Sequence, residues 1–269
     1  MKKLLFGITM ITLAAASASA QGDGDKKVKM GIAITPAVNW LAPDNTHIMS
    51  GNGAVMKMGI GLTANFRLTD VIWLHTGLEY TGAGGKLDYS KGDTAVYGFQ
   101  SGSIIQVAPN TTPPSGTVGY RLLQRTYKTG YIHIPIGFKL KTKEIGMFTY
   151  YGQIGGDLFL KTSSKGDDNV SNFVTSSSLV GNNLNSVVNF FNAAVHFGGG
   201  AEYRFSGSTT AFASLVYQHG IANYTNSGTN YLLKESVGSN GHGGYTVNES
   251  QYANGAKLRQ VVLTIGILF

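Results

Sequence analysis

Eight stretches of this chain alternate apolar side chains with polar or small ones, and the connections between them run short and long in turn. A period of two puts successive side chains on opposite faces of an extended strand, so each stretch has one apolar face and one wetter face. The stretches are 28–40, 55–68, 71–81, 131–140, 147–160, 194–205, 210–221 and 258–269. In the second, Met58, Ile60, Leu62, Ala64 and Phe66 oppose Lys57, Gly59, Gly61, Thr63, Asn65 and Arg67. In the last, Val261, Leu263, Ile265, Ile267 and Phe269 oppose Gln260, Val262, Thr264 and Gly266. Each is close to the roughly 9–11 residues with which a tilted strand crosses a membrane.

The connections set the architecture. Tight links at 69–70, 141–146 and 206–209 interleave with long ones at 41–54, 82–130, 161–193 and 222–255 that are rich in Asn, Ser, Gly and Thr. That rhythm predicts an all-β fold, an eight-stranded antiparallel transmembrane β-barrel with short periplasmic turns and long extracellular loops. Aromatic positions test it separately. On the apolar faces Phe66, Phe138, Phe148, Phe205 and Phe269 fall beside the predicted turns, while Trp40, Tyr80 and Tyr217 fall toward the loops. Two girdles suit a chain that meets a membrane interface twice. A soluble two-sheet sandwich would explain the alternation but not the paired girdles.

Composition agrees. Charged residues are 13% of the chain against about 25% in ordinary soluble domains, and no window after the first residues is long and apolar enough for a membrane helix. The 37 glycines suit a narrow interior, and the absence of cysteine excludes disulfides and thiolate metal sites. At the start, Lys2 and Lys3, the apolar run 4–13 and Ala18-Ser19-Ala20 read as a signal peptide over 1–20 with cleavage before Gln21. A short segment, 21–27, and the barrel domain, 28–269, would follow, in a protein exported to the bacterial outer membrane. Without Lys2 and Lys3 the chain has 19 basic against 14 acidic residues, scattered rather than gathered into a stripe, so no nucleic-acid partner is expected.

An eight-stranded barrel is just wide enough to be filled by side chains or to hold one small ligand. Lys57, Arg67, Glu79, Lys139, Asp157, Glu202, Arg204 and Arg259, with Asn65, Gln153 and Gln218, are predicted to point inward and pair into a plug-like polar network. The alternative is an ion path. His75, His133 and His196 belong to the polar face, where interior hydrogen bonds are expected, while His47 and His242 fall in loops. His219 lies near the outer end of its strand beside Tyr217, where a lipid-modifying hydrolase would keep a catalytic base. No serine stands within three residues of it, so no catalytic residue, metal site or cofactor is assigned.

Three features depart from the plain pattern. Pro36 and Pro135 interrupt strands that need a donor on each side, which predicts a bulge or local irregularity. Val180, Leu184, Val187, Val188 and Phe191 in the third long connection fit either a short amphipathic helix over the barrel mouth or a strand extension. Leu87, Tyr89, Tyr97, Phe99 and the run 120–127 extend a hairpin beyond the membrane, with Pro109, Pro113 and Pro114 at its tip.

The run Tyr131-Ile132-His133-Ile134-Pro135-Ile136-Gly137-Phe138-Lys139 resembles the Tyr-x-x-Ile-Pro-x-x-x-Lys segment of the PorT-like outer-membrane β-barrel family. Gly137 and Phe138 stand where that family favours aliphatic residues, and Leu140 where an aromatic often follows the lysine. The resemblance implies an eight-stranded barrel, a final Phe269 read by the barrel-insertion machinery, and roles that include protein secretion. It brings no shared catalytic set. The sequence thus points to a non-enzymatic barrel in contact with outer-membrane lipid, whose loops bind an envelope or secretion protein or a surface ligand. A lipid-modifying enzyme or small-solute transporter is the alternative.

Overall fold

The computed structural model describes residues 27–47, 49–89, 95–99, 119–171, 176–207, 209–226, 231–239, 245–253 and 255–269. The signal-peptide reading, His242 and the proline-marked tip fall outside them. The strands are β1 (Val28–Ile34), β2 (Ala37–Pro43), β3 (Ser50–Gly51), β4 (Val55–Lys57), β5 (Gly59–Arg67), β6 (Ile72–Asp88), β7 (Ala95–Phe99), β8 (Gly119–Lys141), β9 (Phe148–Ser171), β10 (Ser176–Asn183), β11 (Phe191–Ser206), β12 (Thr209–Asn223), β13 (Tyr231–Ser239), β14 (Tyr245–Ala253) and β15 (Ala256–Leu268). All pairings are antiparallel. Taking β1 with β2 and β4 with β5 as single broken strands, eight strands close into a ring: β1/β2, β4/β5, β6, β8, β9, β11, β12, β15 and back to β1/β2.

The ring closes with a defined stagger. Moving sideways from Arg259 through His219, Val195, Gly156, Ile136, Thr76, Ala64 and Met30 returns to β15 at Phe269, ten residues on from 259. For eight strands this stagger implies a tilt of about 40°, and ten residues then span about 25 Å of height. That equals the height of a typical lipid-facing apolar band.

The outward face matches it. Met58, Ile60, Ile136, Ile154, Leu215 and Ile265 are exposed to the surroundings while their strand neighbours face a packed interior. Phe66 and Phe138 both pair with Leu74 across three adjacent strands, placing two girdle rings at similar depth. Phe148 continues that girdle against Tyr203, ring centroids 4.9 Å apart. Phe205 and Phe269 complete the turn-end set, and Trp40, Tyr80 and Tyr217 face outward near the loop end.

Both prolines break the ladder without moving it. The strand is interrupted at Thr35 and Pro36, yet Ile34↔Ile265 and Ala37↔Val262 keep the same register, so no bulge forms. Opposite Pro135 the β6–β8 pairs pass from Thr76↔Ile136 to Glu79↔His133, again unshifted. The missing donors cost ladder hydrogen bonds only.

Three of the ring strands run far past the membrane. β6, β8 and β9 have 17, 23 and 24 residues, against the roughly 9–11 needed to cross. Beyond the loop end they pair with β3, β7 and β10 into a hydrogen-bonded extension, which β13 and β14 continue. The third long connection is strand rather than helix over Ser176–Asn183. A single tight turn follows, in which Val187 and Val188 both donate from their backbone N–H to the Leu184 carbonyl. That one turn brings Leu184, Val187 and Val188 inward together, so their helical spacing is used without a helix.

Candidate functional site: the filled lumen

Interior side chains sort into three levels. At the turn end Lys141 Nζ donates to Glu202 Oε1 at 2.5 Å, and Lys29 lies 3.8 Å from the other carboxylate oxygen. Both ammonium groups face the Trp73 ring, at 4.2 and 5.7 Å from its centroid. One carboxylate thus holds two cations over an aromatic floor, which offsets the cost of taking them from water.

The middle level is a chain of charged and polar groups. His133 faces Glu79 through Nδ1 (3.1 Å) and Asp157 through Nε2 (2.8 Å). The second Asp157 oxygen faces His196 Nδ1 at 2.9 Å. A ring set between two carboxylates suits the doubly protonated form, which can donate from both nitrogens. His75 Nδ1 meets Asn65 Oδ1 at 3.0 Å, and the Gln260 amide donates to Gln218. Lys139 Nζ lies 4.8 Å from the Tyr151 centroid and 5.3 Å from that of Phe212. Glycines make the room. Gly200 faces inward, and a Cβ there would stand 2.7 Å from the Tyr151 ring.

These groups leave a cavity of about 30 Å³, bordered by His75, His133, Lys139, Asp157 and His196, which has room for a water or two. His196 Nε2 is buried and has no protein hydrogen-bond partner. Groups of three or more metal-ligating side chains in suitable array are absent among the described residues. The arrangement can hold charge and exchange protons, but it is too narrow for a solute.

Directly above lies an apolar cap. Phe159 stacks on His133, Tyr131 packs edge-on against Phe159 and Tyr224 edge-on against Tyr131, with Leu41, Leu87, Leu122, Tyr127, Leu184, Val187 and Leu258 closing the level. Most of its hydroxyls are paired: Tyr89 and Tyr127 share a hydroxyl contact at 2.9 Å, and the Tyr224 hydroxyl meets Thr129 Oγ1 at 2.6 Å, while the buried Tyr131 hydroxyl has no partner among the described residues. Burial pushes the Tyr89 phenol well above its ordinary pKa, and the neighbouring Tyr127 adds to this. Higher still, Arg125 and Asp168 form a fully buried two-point pair at 2.5 and 2.8 Å. Burial is the largest single influence and opposes the Arg125 charge, but the Asp168 hydrogen bonds together with the electrostatic influence of Tyr127, Asp168 and Tyr89 outweigh it and raise the guanidinium pKa.

Of the eight residues predicted for the interior network, Glu79, Lys139, Asp157 and Glu202 are buried in it. The other four are elsewhere. Arg67 pairs with Asp70 in the first turn (2.6 Å), and Arg204 with Glu144 across the second (2.5 Å), both at the turn-end rim where water solvates them. Lys57 is half-buried near the loop end, with Lys128 and Asp167 as electrostatic neighbours. Arg259 shares the outward face of Val261 and Leu263, opposite to the inward Gln260, and the prediction of an interior Arg259 is overturned by that parity. His133 and His196 join the network as expected, and Lys29 and Lys141 are members the sequence did not single out. His219 also faces outward, its Nδ1 3.3 Å from the Tyr217 hydroxyl. Its register partners Val195 and Arg259 are neither nucleophile nor carboxylate.

The fold and lumen define a side-chain-filled transmembrane β-barrel of the kind found in bacterial outer membranes. No protein-family model and no characterised protein sequence matches the chain. Among solved structures it is similar to Neisserial surface protein A, at 13% identity over 91% of this chain and 97% of that one, TM-score 0.39. It is also similar to Ail, the attachment invasion locus protein of Yersinia pestis, at 12% identity over 90% and 99%, TM-score 0.35. OprG from Pseudomonas aeruginosa aligns at 9% identity over 92% and 98%, TM-score 0.40. At those scores the barrel assignment rests on the closed ring of pairings and not on the likeness.

Proposed function

We propose that this protein is a non-conducting, non-enzymatic outer-membrane barrel whose loop end faces outward and binds a partner. The observation that carries the reading is the apolar cap set on the polar network, within which the cavity is water-sized. A lumen filled at three levels has no path for a solute or ion. The ordered extension of β6, β8 and β9 gives the loops a rigid base, and surfaces held in that way suit recognition. Membership of the PorT-like family and a link to protein secretion rest on the 131–139 segment. Recognition of Phe269 during insertion rests on the same resemblance.

Two measurements test this. Purified, folded protein in a planar bilayer is expected to give no unitary currents; well-resolved channels would overturn the filled-lumen reading. A photo-crosslinker at Val180, which is 75% exposed on β10, is expected to capture a defined protein in native outer membranes, and one at Leu140 by the turns is not. Equal labelling at both sites, or none at Val180, would remove the binding role.

A further inference from the structure

Arg259 stands out on the lipid-facing surface. Ten residues separate it from Phe269 along β15, and the stagger derived from the pairings converts this to about 25 Å of height. If Phe269 marks the inner edge of the apolar band, Arg259 marks its outer edge. At that height the outward positions on the other ring strands are Trp40, Met56, Gly82, Gly130, Leu160, Ala193 and Ile221, so Arg259 is the one charged group there among the described residues.

Its surroundings are built rather than open. Trp40 and His219 flank it in register, and the Trp40 and Tyr217 rings approach to 6.2 Å across the outer face of β15. Among the described residues the guanidinium Nε is buried without a hydrogen-bond partner, and no carboxylate forms an ion pair with the side chain. Lys257 precedes it by two residues, on the same face and further from the membrane centre. A buried unsatisfied donor is costly, and the lipid chains cannot accept its hydrogen bond. A phosphate at the headgroup level can, in the two-point geometry that guanidinium favours.

We infer that Arg259, with Lys257 above it and Trp40 and Tyr217 bracketing it, is a binding site for the phosphate of an outer-leaflet lipid headgroup. The rings pack on the acyl or sugar portion, as interfacial aromatics do. The inference rests on the loop-out orientation proposed above, which biotinylation of exposed lysines on intact cells tests by itself.

The test uses full-length protein in phosphatidylcholine nanodiscs containing either bis-phosphorylated or dephosphorylated lipid A, with retained lipid counted by native mass spectrometry. Wild-type protein is expected to keep one phosphorylated lipid and not its dephosphorylated form. Arg259→Gln is expected to weaken retention about tenfold and Arg259→Lys by less, while Lys165→Gln on the extension leaves it unchanged. Millimolar inorganic phosphate is expected not to compete. Equal retention of the two lipids by wild-type protein would overturn the site whether or not the variants fold. Displacement by free phosphate would overturn the assignment to a lipid.

Discussion

His133 and Phe159 lie ring on ring, centroids 4.4 Å apart and planes 9° from parallel, at the level where the polar lumen meets the apolar cap. The histidine is held from below by two carboxylates and the phenylalanine from above by Tyr131. Removing Phe159 therefore opens the cap onto the cavity as well as deleting buried surface. Phe159→Ala is expected to cost about 3–5 kcal/mol, read as a lower temperature for loss of the fast-migrating folded band in unboiled gels. Transient currents are also expected in planar bilayers, where wild-type protein gives none. A variant as stable and as silent as wild type would show that the seal lies higher.

Asp157 accepts from both His133 and His196 and is 1% exposed. Its removal leaves His133 and His196 without their shared acceptor. Asp157→Ala is expected to destabilise the barrel by about 3–5 kcal/mol, as breaking a buried charged network does. Asp157→Asn, which keeps one acceptor, should cost less. Should Asp157→Leu prove more stable than wild type, packing alone would be filling this level and the network would have another purpose.

The strands, girdles and four interior charges were legible because one rule, parity, governs them all. Arg259 fails when charge is read ahead of parity: 259 has the parity of Val261, and at the top of the band a cation facing outward reaches the headgroup level. The cap was missed for a related reason. Leu41, Leu87 and Leu258 have the inward parity of Asn39, Glu79 and Gln260, so apolar residues occupy the polar face of their strands. Above the membrane the inside of the ring packs like the core of a soluble protein, and an inward run that turns apolar marks where the strands leave the bilayer. Long-range pairs such as Arg125 with Asp168 left no sequence signal, because only the β8–β9 register brings them together.

The cap predicts an alkaline limit. Tyr89 and Tyr224 are buried, hydrogen-bonded and outside the band, and burial raises the pKa of both above the ordinary phenol value. A group whose folded pKa is raised contributes stability that is complete below its unfolded value, near 10, and is lost as pH rises toward the folded value. The cap is therefore expected to keep its stability through neutral pH and to loosen only above about pH 10. Among the 14 tyrosines, tyrosinate absorbance should show a late-titrating group. Tyr89→Phe and Tyr224→Phe are each expected to shrink that late wave and leave the early one intact.

Arg125 and Asp168 hold the extension together at a point with no access to solvent, and Asn182 adds a third contact to the carboxylate at 2.8 Å. Truncating one partner leaves a buried charge, whereas replacing both by apolar residues of similar size removes the desolvation cost along with the attraction. Asp168→Ala is expected to expose β9 and β10 to limited proteolysis while the membrane-embedded ring keeps its gel mobility, since locally weak units open without the whole. The pair Arg125→Met with Asp168→Leu should restore protection to near wild-type level, and Asn182, half-buried, can turn its amide to water. Cleavage in the double variant as fast as in Asp168→Ala would mean that the ion pair itself is needed to order the extension. A coincident loss of gel mobility in either variant would mean that extension and ring fold as one unit.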